Sequence, residues 1–157
     1  MRAKHLLSVA GWALVALVAL PRPVAAIGSC SFNSVSGVNF GAYDVFNNSH
    51  TDSTGSITYS CLNLLSTITI DLSQGNASSY ATRQMRQGAS FTLNYNLFLD
   101  ANRTTIWGDG TGGSSRYGPI MPPLLTQVTV TVYGRIPARQ NVRVGPYTDT
   151  ITATINF

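Results

Sequence analysis

The stretch "GPYTDTITATINF", residues 145–157, decides the fold. Ile151, Ala153, Ile155 and Phe157 fall on one face, and Thr150, Thr152, Thr154 and Asn156 on the other. Successive side chains of a strand point to opposite faces, so this alternation predicts a half-buried β-strand. Terminal residues ordinarily fray into polar tails, yet here the apolar face continues to Phe157, the last residue of the sequence. Such a strand needs something to cover it.

Working outward, similar runs recur between turn-rich segments. "SITYSCL" (56–62) places Ile57, Tyr59 and Cys61 on one side, and "STITIDLS" (66–73) does the same with Ile68, Ile70 and Leu72. "SFTLNYNLFLD" (90–100) and "QVTVTVYGRIP" (127–137) alternate cleanly, and "SFNSVSGVNFGAY" (31–43) reads as extended up to a break at Gly41. Between them lie a polar turn region at 47–55, an irregular stretch at 74–88 and a glycine-rich loop at 108–115. About six short strands and no helical period predict an all-β fold, a two-sheet sandwich. A sandwich of immunoglobulin type wants seven strands, and the last one read here is uncovered.

The first 26 residues read differently. A basic start, "MRAKH", precedes the uncharged apolar run "LLSVAGWALVALVAL" and then "PRPVAA", which ends in small residues. This order predicts a secretory signal peptide cleaved after Ala26, leaving a single domain at 27–157. The apolar run is shorter than the ~20 residues a spanning helix needs, so no membrane span is expected once it is removed. Residues 27–157 hold seven arginines, six aspartates and no Lys or Glu, a net charge of +1. There is no basic tract and hence no nucleic-acid footprint. Thr, Val, Ile and aromatic residues favour strands, whereas the helix-favouring Lys and Glu are missing.

Both cysteines, Cys30 and Cys61, fall in this domain. In an exported chain two cysteines most simply pair with each other, and closing a loop of this length contributes roughly 3–4 kcal/mol in the chain-entropy description.

Catalytic chemistry is hard to assemble from these residues. After the signal there is one histidine, His50, in a polar turn, and the six aspartates are scattered, most of them at turns or strand ends where side-chain caps are routine. "GDGTGG" around Asp109 lacks both the P-loop lysine and the spaced oxygen ligands of an EF-hand. No catalytic residue, metal site or cofactor is expected. "GPIMPPLL" (118–125) sets Ile120, Met121, Leu124 and Leu125 beside three prolines. Proline excludes central pairing, so this is a loop or irregular edge. It is either tucked into the core or exposed as an interaction loop for a partner or surface.

Taken in order, these segments resemble the spore coat protein U domain family, which includes subunits of archaic chaperone–usher pili. The likeness covers nearly all of 29–157. It is carried by "CSF" at Cys30, "VNFGAY" (38–43), "GSITYSC" (55–61), "LSQG" (72–75), "RQM" (83–85) and "LNYNLFLDANRTTIWGDG" (93–110). The closing block "TVYGRIPARQNVRVGPYTDTITATINF" is the most specific part.

The resemblance implies an incomplete immunoglobulin-like β-sandwich missing its last strand, with a hydrophobic groove beside the terminal strand at Ile151, Ala153, Ile155 and Phe157. It implies that a periplasmic pilus chaperone, and then a neighbouring pilin subunit, donates a strand into that groove. Export would run through an outer-membrane usher to a pilus or coat at the cell surface, with roles in cell adhesion and biofilm. A stalk subunit also carries a donor segment before its first cysteine. Cleavage after Ala26 leaves only "IGS" there, spanning about 10 Å, which points to a tip or terminating subunit. The alternative is a self-contained secreted β-sandwich, an adhesin or carbohydrate-binding module whose Trp107 and Tyr117 stack on a sugar ring.

Overall fold

A computed structural model describes residues 28–62 and 66–157. The segment read as a signal peptide, residues 1–26, lies outside the described residues. All the described elements are strands: β1 (Ser29–Ser36), β2 (Thr51–Leu62), β3 (Ile68–Leu72), β4 (Arg83–Gln87), β5 (Phe91–Phe98), β6 (Tyr117–Ile120), β7 (Val128–Ile136) and β8 (Ala153–Asn156).

They form a five-stranded sheet in the order β1-β2-β7-β5-β4 and a three-stranded sheet in the order β6-β3-β8, with antiparallel pairing throughout. Immunoglobulin constant domains place strands A, B, E and D on one sheet and C, F and G on the other. In chain order β1, β2, β3, β5, β7 and β8 occupy the A, B, C, D, E and F places. Among the described residues no strand occupies the G place beside β8.

The core forms where the alternating faces meet. Ile57, Tyr59 and Cys61 of β2 and Val132 and Ile136 of β7 face Ile68, Ile70 and Leu72 of β3, with Leu93, Tyr95 and Leu97 of β5 at the side. Cys30 and Cys61 are opposite each other in the β1–β2 register and form the disulfide.

Four segments depart from the sequence expectation, and the strand count rises from about six to eight. β4 lies within the stretch read as irregular, because its inward residues are Arg83 and Met85 and an arginine facing inward breaks the hydrophobic pattern. β6 takes the start of the proline-rich segment, at a sheet edge where Pro119 removes no needed ladder bond. The first half of β2 lies in the region read as a polar turn. Its Asp52 is held by Arg135 of β7, Nε to Oδ1 at 2.7 Å and Nη2 to Oδ2 at 2.8 Å. Conversely, β1 stops at Ser36 and residues 37–45 cross the sheet without pairing into a strand.

Candidate functional site

The ladder between β3 and β8 fixes what β8 offers to its other side. Ser73 N–H donates to Thr152 O at 2.9 Å, in line with the Leu72–Ala153 and Asp71–Thr154 register. Hydrogen-bonded and non-hydrogen-bonded pairs alternate along an antiparallel ladder. Thr152, Thr154 and Asn156 therefore turn their backbone groups toward β3, while Ala153 and Ile155 turn theirs to the free edge. The same phase sends the Leu72 N–H away from β8, where it donates to Gly108 O at 3.2 Å.

Beside that edge the sandwich is open. A groove of about 910 Å³ reaches the core, with Ile57, Leu72, Leu93, Tyr95, Leu97, Val132 and Ile136 as its floor. Residues 35–45 form one wall, and residues 142–153 the other. The first wall lies close against bare backbone. A Cβ on Gly134 would sit 2.6 Å from Val38 Cγ1 and 2.7 Å from Phe40 Cζ, and one on Gly55 would sit 2.5 Å from Ser36 O. Phe40 meets Tyr95 edge to face with ring centroids 6.0 Å apart. Tyr43 pins the end of this wall, its hydroxyl donating to Pro137 O at 2.8 Å and accepting from Gln140 N–H at 2.8 Å.

The second wall is held by Asp149. Its carboxylate accepts from Tyr95 Oη at 2.7 Å, Asn76 N–H at 2.8 Å and Thr150 N–H at 2.7 Å. Gly75, at φ +66°, approaches so closely that a Cβ there would lie 2.2 Å from Asp149 Oδ2. Burial, and then the bond to Asp149, push the Tyr95 phenol well above its ordinary range. Beneath this wall lies Arg83, fully buried. Its guanidinium donates to Ser73 O (3.0 and 2.9 Å), Asn96 Oδ1 (2.8 Å) and Trp107 O (2.6 Å), and lies over the Tyr80 ring. Burial lowers its pKa, but the cation is met by carbonyl dipoles rather than by a carboxylate.

Of the residues expected at the groove, Ile151 and Ala153 line it. Ile155 packs against the core further along β8, and Phe157, beyond the last paired residue, is 56% exposed. The 120–125 segment divides: Ile120 packs on the core, whereas Met121, Leu124 and Leu125 are exposed. Leu125 is 78% exposed at φ 59°, and its N–H donates to Cys61 O at 3.1 Å. Sugar stacking by Trp107 is excluded by its position. Its side chain is fully buried, its Nε1–H donates to Ile70 O at 2.8 Å, and Tyr117 packs against it inside the fold. His50 is exposed and accepts from Ala138 N–H, and Asp109 caps its own turn through Thr111. Among the described residues, no three His, Cys, Asp or Glu side chains gather where a metal could bind.

The sequence reading missed Arg83, Asp149 as a clamp, and residues 37–45 as a wall. The signal for the wall was present in the alternation of Val38 and Phe40 opposite a glycine in β7, but its partner lies about 95 residues away in sequence.

These features define a class: an immunoglobulin-like sandwich with a free terminal edge and an apolar groove beside it. The chain belongs to the Spore Coat Protein U domain family, which it matches over residues 16–154, a range that begins inside the segment read as the signal peptide. It is 39% identical over 145 residues to Protein U of Myxococcus xanthus, covering 83% of this chain and 78% of that protein. Its fold is similar to that in the crystal structure of the CsuC-CsuE chaperone–tip adhesion subunit pre-assembly complex from the archaic chaperone-usher Csu pili of Acinetobacter baumannii. The TM-score is 0.57 and the identity 22%; the match covers 83% of this chain and 40% of the solved one.

Proposed function

We propose that this protein is a structural subunit of a surface fibre or coat whose groove is completed by a strand from another protein. The observation that carries this reading is the free edge of β8, with the Ala153 and Ile155 backbone groups unpaired beside a groove floored by the core. A bare edge over an open apolar groove is an aggregation hazard. A donated strand pairs the backbone and covers the floor together, with backbone bonds giving affinity and alternate side chains giving specificity.

Family membership and the fold shared with a chaperone-bound pilus subunit support the same reading. The partners are then a periplasmic pilus chaperone that supplies the first strand, an outer-membrane usher, and neighbouring subunits that replace the chaperone's strand. The exposed Met121, Leu124 and Leu125, at the disulfide end of the sandwich, would provide a second contact surface. The function is assembly rather than catalysis.

The test is to produce the exported chain alone and together with a pilus chaperone from a matching export system. Alone, it is expected to fold but to be less stable and to self-associate as concentration rises; with the chaperone, it is expected as a stable, soluble one-to-one complex. An equally folded, monomeric and soluble chain in both preparations contradicts the reading.

A further inference from the structure

Two large apolar side chains stand in water at one mouth of the groove. Phe46 is 87% exposed and Val144 is 93% exposed, more than any other large hydrophobic side chain among the described residues. They belong to opposite walls. Val144 lines the groove directly, and Phe46 follows the lining residue Val45.

Both are presented by tight local structure. Asp44 caps the Phe46 turn, its Oδ1 accepting from Phe46 N–H at 2.9 Å and its backbone oxygen from Asn47 N–H at 3.2 Å. Val144 O accepts from Gln87 Nε2 at 3.2 Å. The next residue, Gly145, lies so near Gln87 that a Cβ would overlap Nε2, at 1.8 Å. Neither side chain covers any of the core, and Phe46 lies outside the groove lining, where a strand in the groove would leave it uncovered.

We propose that Phe46 and Val144 are a docking pair for the folded domain of the subunit that donates the strand. This rests on the groove reading above and assigns the partner's body as well as its strand. β8 runs away from this mouth, since Ala153 lines the groove and Phe157 lies at the far end. A strand laid antiparallel to β8, the slightly more stable ladder, ends its C-terminus between Phe46 and Val144. The donor's domain then follows directly over both side chains.

Two residues expose far less than the roughly 800 Å² per partner of a stable interface, so this patch does not hold two bodies together by itself. Tethered by a strand already in the groove, the contact becomes intramolecular, and a small apolar patch is enough to matter.

The experiment compares two probes against the exported chain. One is a free peptide of alternating Val and Thr. The other is the same peptide joined ahead of Gly28 of a second copy of residues 28–157. The joined probe should bind about tenfold more tightly than the free peptide. Phe46→Ser, at a residue outside the groove lining, should remove most of that advantage while leaving free-peptide affinity unchanged. Equal binding of the two probes to the unaltered chain, equal weakening of both by Phe46→Ser, or an advantage that survives that substitution overturns the docking pair while leaving the groove reading intact. Failure of both probes to bind the unaltered chain overturns the groove reading, and the docking pair with it.

Discussion

Tyr95 donates its hydroxyl to Asp149 at 2.7 Å, joining the floor of the groove to the wall that leads into β8. The same carboxylate holds the Asn76 and Thr150 amides, so Asp149 ties β5, the turn after β3 and the terminal segment together. Asp149→Ala leaves the Tyr95 hydroxyl and the Asn76 amide without this acceptor. It should destabilise the fold by roughly 2–4 kcal/mol, and Tyr95→Phe by about 1–2 kcal/mol. Urea denaturation of both single variants and the double variant should give a combined loss smaller than the sum of the two.

The same contact sets a response to alkali. The Tyr95 phenol is raised above its ordinary value by burial and by Asp149, so the folded state favours the protonated form. The stability this provides is complete below the unfolded phenol pKa of about 10 and is lost as pH rises above it. Tyr95→Phe should flatten the stability profile above about pH 10. An unchanged alkaline slope would show that Tyr95 does not carry it.

Gly134 is the seat of the first groove wall. Alanine there would push against the ends of Val38 and Phe40, at 2.6 and 2.7 Å. The expected cost is about 1–3 kcal/mol, accompanied by increased binding of a hydrophobic dye as Phe40 leaves Tyr95. Gly113, which has nothing within 4 Å of a built Cβ, is the control for added bulk, although its positive φ adds a small strain of its own.

Arg83 should tolerate no conservative exchange. Lysine reproduces the charge but not the planar fork that reaches Ser73 O, Asn96 Oδ1 and Trp107 O together. Arg83→Lys should cost about 3 kcal/mol or more, because it leaves carbonyls and a buried cation poorly met. Thermal denaturation measures it.

How far the sequence announced this molecule depends on the kind of signal. The alternation of Ile57 and Tyr59, of Ile68 and Ile70, and of Leu93, Tyr95 and Leu97 marked three core strands correctly, because burial on one face leaves a period of two. β4 escaped because its buried position is Arg83, whose burial is made tolerable by carbonyls from distant segments. The terminal strand was recognised, but only Ala153–Asn156 pair as β8. Residues 145–152 are shaped instead by Gln87, Arg86 and Asp149. That Ile151 and Ala153 share one face of a half-buried strand was legible from their alternation alone. The opposite wall was not, since nothing local in residues 37–45 says that they lie across Gly55 and Gly134.

The central claim is tested most directly by amide hydrogen exchange along β8. The ladder phase gives neighbouring residues opposite expectations. In the isolated protein the Thr154 and Asn156 amides, turned toward β3, should be protected, and those of Ala153 and Ile155 should exchange freely. When the chain is bound to a strand-donating chaperone, Ala153 and Ile155 should become protected as well. Protection of Ala153 and Ile155 already present in the isolated chain, or no gain on forming the complex, would contradict completion of the groove by a donated strand.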